Sequence, residues 1–187
     1  MAINFVIYFY NCIVFWNIVH SKFIAIMSKW KNSGSWNRGQ RIEKEFAPLL
    51  RQRDPNYRKA NREEQFRHID YFSNFGTIDV KAKKKINRAD ASEQDELVWV
   101  EFKNVQGRDG WLRGQTDIIA FERNNDFILI KRNYLLGMCQ VKCDLSKKVT
   151  SSRDALYKGY QREGRKDLIS IVKMSDILNM PHQIWKK

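Results

Sequence analysis

Cysteine and histidine are scarce in this chain. Three cysteines in 187 residues leave one unpaired, and their spacing is not dense. This argues against a disulfide-stapled scaffold, and a reducing, cytoplasmic setting is expected. Cys139 and Cys143 form one C-x3-C pair with no second pair beside it. Buried thiols are expected there rather than a zinc site. The histidines are His20, His68 and His182, too few and too scattered for a histidine-rich metal site. No GxxxxGK run followed by Ser or Thr occurs, which removes P-loop nucleotide hydrolysis. No serine-nucleophile elbow occurs either. Gly107, Gly110 and Gly114 lack the strand–GxGxxG–helix setting and read as turns. No internal repeat is visible.

The chain is rich in positive charge. Lys and Arg number 34 against 21 Asp and Glu, a formal net charge of +13. A polyanionic partner follows: DNA, RNA or an acidic membrane surface. Apolar residues are 43% of the chain and aromatics 13%. That is enough for one buried core and too much for a disordered or low-complexity chain. A charged fraction of 29% argues against several membrane spans.

Residues 1–27 differ from the rest, with Lys22 their only charge. The stretch is long enough for a transmembrane helix, which takes about 20 apolar residues. Asn11, Asn17 and His20 interrupt it, however. A secretory signal would show a basic start and a small-residue cleavage site, and this stretch has neither. The third reading is an over-extended start with Met27 as the initiator. The expected organisation is a hydrophobic extension over 1–27 and a single domain over 28–187.

Residues 28–38 read as a flexible lead-in. Ile42, Phe46, Leu49 and Leu50 then mark one face of a helix over 39–51. The highly charged stretch 52–65 reads as a solvated connection or short helix. HIDYF (68–72) and TIDVKAK (77–83) read as two strands joined by the turn Ser73–Gly76. After a polar loop over 87–96, LVWVEFK (97–103) is the most strand-like run. TDIIAFE (116–122) and FILIKR (127–132) read as a hairpin. Residues 151–163 read as a helix with Ser152 as its cap. LISIVK (168–173) reads as a late strand, with a short helix from Ser175. The expected fold class is α/β or α+β, with a mixed central sheet flanked by helices.

The chemistry concentrates in the first hairpin. Side chains alternate along a strand, so Asp79 and Lys81 share a face. Asp70, on the preceding strand, can stand beside them. Two carboxylates and an amine on one patch suit phosphodiester hydrolysis. The acids hold Mg²⁺ or Mn²⁺, and the ammonium steadies developing negative charge. Asp70, eight residues and Asp79-Val80-Lys81 resemble the signature of the PD-(D/E)xK nucleases. That superfamily holds many restriction enzymes, Holliday-junction resolvases and some intron-encoded endonucleases. The resemblance covers roughly residues 37–135. It implies an αβββ(α)β core, a divalent cation, a DNA substrate and, in many relatives, a homodimer. The helix of that core often adds a carboxylate, a position that Glu43 or Glu45 matches. Two departures stand out: Ile69 rather than Pro precedes Asp70, and Asp rather than the commoner Glu fills the second position. A second register is also open, with Asp79 first and Glu101-Phe102-Lys103 as the later half. Glu101 could also add a ligand beside Asp79 in the first register. The stretch from Glu101 to Trp111, with Gln115 and Asp117 after it, loosely resembles phage-type proteins carrying the same Asp-Val-Lys element; Gln115 and Asp117 read as structural or loop residues.

Cations follow the proposed catalytic strand at Lys83, Lys84 and Lys85. There they would neutralise a substrate backbone. Arg108 and Arg113 flank Trp111, which is either core or a base-stacking platform. The functional expectation is a Mg²⁺-dependent endodeoxyribonuclease. The rivals are a non-catalytic nucleic-acid-binding protein and a tethered protein whose basic face meets anionic lipid.

Overall fold

The computed structural model describes residues 34–187. The anchor, signal and start-site readings of residues 1–27 lie outside the described residues. Among the described residues no helix is long and apolar enough to cross a membrane. The chain divides into two units, Met1–Arg41 and Ile42–Lys187. The described part of the first is the opening of helix α1 (Gly34–Arg53); the second holds everything that follows. Residues 34–38, expected as a flexible lead-in, are therefore helical.

The architecture is α+β, with two mixed sheets. The charged stretch after α1 contains the short strand β1 (Arg58–Lys59) and helix α2 (Arg62–Gln65). Asn61 caps α2: its side chain accepts from Glu64 N at 3.0 Å, and its own backbone N–H donates to the Glu64 carboxylate. β2 (Tyr71–Ser73) and β3 (Gly76–Lys81) form the expected antiparallel hairpin. Gly76 closes it at φ 116°, a conformation that side chains disfavour. A Cβ at Gly76 would also stand 2.9 Å from Asp117 Oδ2. β5 (Ile118–Glu122) and β6 (Asp126–Lys131) form the second expected hairpin. β5 lies parallel to β3, with Asp79 opposite Ile119. Asp117 ties the two strands together by accepting from Thr77 N and Thr77 Oγ1, each at 2.8 Å. β10 (His182–Lys186) closes the far edge against β6, giving the order β1-β2-β3-β5-β6-β10.

The second sheet departs from the sequence reading. β4 (Leu97–Lys103) does not join β3. It pairs with β9 (Leu168–Lys173), followed by β8 (Lys158–Tyr160) and β7 (Asp144–Val149). Helix α3 (Arg132–Lys142) joins the sheets, and α4 (Met174–Leu178) follows β9. Residues 151–163 are not a helix. A single 3-10 turn, Ser152–Asp154, is capped by Ser151 and gives way to β8. Tyr157, at φ 55°, breaks any helix there.

Packing sets the faces of β3. Ile42, Phe46 and Leu50 recur four residues apart on α1 and are fully buried. They pack with Ile78 and Val80 of β3 and with Phe127 and Trp185. The other face of the first sheet, with Ile119 and Phe121, packs on Val100, Phe102, Trp111, Val172 and Met174. Alternation then directs Asp79 and Lys81 away from α1, toward the side where Trp111 and β4 lie.

Candidate active site

The centre of the site is Asp79, a carboxylate with 3% of its surface exposed. Lys81 Nζ meets Asp79 Oδ2 at 2.7 Å and lies 5.1 Å from the Trp111 ring centroid. Asp70, at the entrance to β2, receives Val80 N on Oδ2 at 2.8 Å. The Asp70 carboxyl lies near enough to Asp79 for the Asp79 charge to act on it. Burial, and then the Asp79 charge, lift Asp70 to about 7. Burial also raises Asp79, against the pull of Lys81. The first register is thus brought together as one patch.

Two more acids border it. Glu43, on the buried side of α1, is 7% exposed and meets Lys59 Nζ at 2.8 Å. Burial and then Asp70 raise its pKa, against Lys59. Tyr71 Oη donates to the Glu43 carbonyl at 2.9 Å, fixing α1 to β2 at this point. Glu101 comes from the second sheet. Burial raises its pKa; Lys81, Lys84 and Arg162 oppose this, together with a bond from the Trp111 amide. Gly110 passes so close that a Cβ there would stand 2.4 Å from the Glu101 carbonyl oxygen.

The other sequence candidates separate. Lys103 is exposed, and a β-bulge falls between it and Glu101. The cations acting most on Glu101 are Lys81, Lys84 and Arg162. Lys83 is drawn toward Asp95 at 3.9 Å and bonds Asn124. Lys84 acts on both Asp79 and Glu101. Lys85 is exposed, and its carbonyl accepts the Trp99 indole N–H at 3.1 Å. Arg108 and Arg113 are exposed, Arg113 lying 3.9 Å from Asp109. Trp111 is 5% exposed and packs edge-on to Phe121, so it is core. Cys139 and Cys143 are buried thiols, as expected.

Sequence reasoning passed over Lys59 and His68. Lys59 sits in a stretch read as solvated, and nothing local signals its pairing with Glu43. His68 holds φ 62°, a feature alternation does not show. Burial, then Lys81, lower its pKa to about 4, so it is neutral at pH 7.

Comparison with known proteins finds no matching family model, no matching curated protein and no matching solved structure.

The donor chemistry of the patch fits a hard divalent cation. Its oxygens are carboxylate oxygens, and the Asp79 charge raises Asp70, a repulsion that a cation would relieve. Among the described residues, no three His, Cys, Asp or Glu side chains form a ligand group. Mg²⁺ commonly takes one or two carboxylates and keeps several waters, which the Asp70–Asp79 pair satisfies.

The raised Asp70 has a measurable consequence without metal. Its folded pKa, about 7, exceeds the ordinary 3.8, so the folded state binds more protons between those values. Stability from this group is fully present below about pH 4 and falls as pH rises toward about 7. His68 acts oppositely between about pH 4 and 6.5, where the unfolded chain binds the extra proton. Comparison with Asp70→Asn isolates the first effect. In EDTA, the stability of wild type relative to Asp70→Asn should decline across that window in urea titrations. A difference that stays constant or grows with pH would contradict the raised Asp70 pKa.

Proposed function

We propose that this protein is a metal-dependent endonuclease that hydrolyses DNA phosphodiester bonds through Asp70, Asp79 and Lys81. The observation that carries the reading is the trio on one hairpin: Asp70 Oδ2 accepts from Val80 N at 2.8 Å, and Asp79 is held 2.7 Å from Lys81. The element order supports a PD-(D/E)xK-type core. Helix α1 leads into three antiparallel strands, and a fourth strand, β5, lies parallel to β3.

Asp70 and Asp79 would hold Mg²⁺ or Mn²⁺, with Glu43 and Glu101 bordering the site. When bound, the cation supplies charge neutralisation and lowers the pKa of attacking water. Lys81 faces the same patch and places an ammonium where negative charge develops on the scissile phosphate. Lys84 adds positive charge beside the acids.

Supercoiled plasmid incubated with the protein should be nicked in Mg²⁺ or Mn²⁺ and left intact in EDTA. A second reading, a non-catalytic nucleic-acid-binding protein, is favoured by the lack of a three-residue ligand group among the described residues. Plasmid retarded in gels but never nicked in either metal would decide for it.

A further inference from the structure

We infer that the cleft beside the carboxylates binds unpaired nucleotides, so that the substrate is DNA carrying a single-stranded segment next to the scissile bond. The inference rests on the nuclease reading for its placement, but its test does not require cleavage. The cleft has a volume of about 590 Å³ and opens on the second sheet. Glu101 and Trp111 line it, and the Trp111 ring centroid lies 5.1 Å from Lys81 Nζ of the acidic patch.

Four cations line it: Lys84, Arg88, Arg162 and Arg165. The acids among its lining residues are Glu101, already placed beside the metal patch, and Glu163. Arg162 is held in place by Asp167, a carboxylate only 1% exposed, which bonds both its side chain and its backbone N–H. Such a pre-positioned guanidinium suits a phosphate. Trp99 and Tyr160 supply the aromatic surface, with ring centroids 5.8 Å apart and planes tilted by 40°. Both rings are part-exposed, and the bond from Trp99 Nε1 to the Lys85 carbonyl fixes the indole.

Cations beside aromatic faces are the elements of single-strand recognition. Phosphates meet the cations, and bases stack on the rings. In a duplex, each base face is already covered by its neighbours. The rings can therefore be used only by a nucleotide that has left the stack. An acidic peptide would meet the cations but has no flat face for Trp99 and Tyr160.

Fluorescence anisotropy in EDTA, where no cleavage occurs, tests this on the full chain. The probes are a labelled blunt duplex and the same duplex extended by a short single-stranded overhang. The overhang should bind about tenfold more tightly. Trp99→Ala should remove that preference, and Trp99→Phe should retain most of it. Arg165→Gln, an exposed substitution, should weaken overhang binding and lower its salt slope by about one. Equal affinity of wild type for the two probes would overturn the proposal, as would a Trp99→Ala loss equal for both. Plasmid nicking is scored in parallel. Nicking without an overhang preference defeats this inference alone, and a preference without nicking defeats the nuclease reading alone.

Discussion

Asp79→Ala is expected to reduce metal-dependent nicking by about 10³-fold or more, the scale on which charge-stabilising groups act. Asp79 acts on both other members of the trio. Its charge raises Asp70, and it holds Lys81 at 2.7 Å. Its loss removes a carboxylate from the metal patch and leaves the Lys81 ammonium without its close acidic partner. It also removes the second-largest influence raising Asp70, which should then lose its proton at lower pH. Folding should survive, since the neighbouring core residues Ile78 and Val80 face α1 on the other side of β3. Lys81→Gln should lose a comparable share of the rate, whereas Lys103→Gln should keep most of it. If Lys103→Gln is as inactive as Lys81→Gln, the register built on Glu101 and Lys103 carries the chemistry instead. Nicking by a metal-loaded Asp79→Ala protein at the wild-type rate would defeat both registers, because they share that residue.

Phe46→Ala should destabilise the fold by about 3–5 kcal/mol. Phe46 is fully buried on α1 and stacks on Trp185, with centroids 5.4 Å apart and planes 3° from parallel. It also meets Phe127 edge-on at 5.1 Å and Tyr71 at 6.1 Å. One ring thus joins α1 to β2 on one side of the first sheet and to β6 and the edge strand β10 on the other. Truncation removes the aromatic contacts and leaves a hole that backbone hydrogen bonding prevents from collapsing. Since domains are stable by only about 5–15 kcal/mol, the loss is a large share of the total. Urea unfolding should show a lower midpoint with an unchanged slope. Val141→Ala, at a position 88% exposed, should barely move the midpoint. A Phe46→Ala cost below about 1 kcal/mol would mean that α1 does not dock on this sheet as described.

The two halves of the molecule were not equally legible in the sequence. The hairpins β2–β3 and β5–β6 announce themselves by alternation and by their turns, and α1 by the spacing of Ile42, Phe46 and Leu50. Asp79 and Lys81 follow directly, because parity along a strand is a local property. What parity does not reveal is the partner across the sheet. Leu97–Lys103 reads as a strand, yet nothing local says that it pairs with Leu168–Lys173 rather than with β3. The misread helix over 151–163 has a similar origin. Leu156 and Tyr160 are four residues apart, a spacing a helix would accept, but Tyr157 adopts positive φ and Tyr160 pairs with Val149. Helix α3 was not foreseen; Gly137 and Val141 dilute its signal, while Leu135 and Cys139, four residues apart, are its buried positions. Within the site, Asp70, Asp79 and Lys81 were visible because they lie within one hairpin. Lys59 beside Glu43 was not, since α1 and β1 meet only through the tertiary fold.

Crystals soaked with Mn²⁺ test the central claim most directly, because anomalous scattering locates the ion without reference to activity. The account predicts a peak bonded to the carboxylates of both Asp70 and Asp79. No peak at this patch, or one held by Asp79 and Glu101 without Asp70, would contradict it.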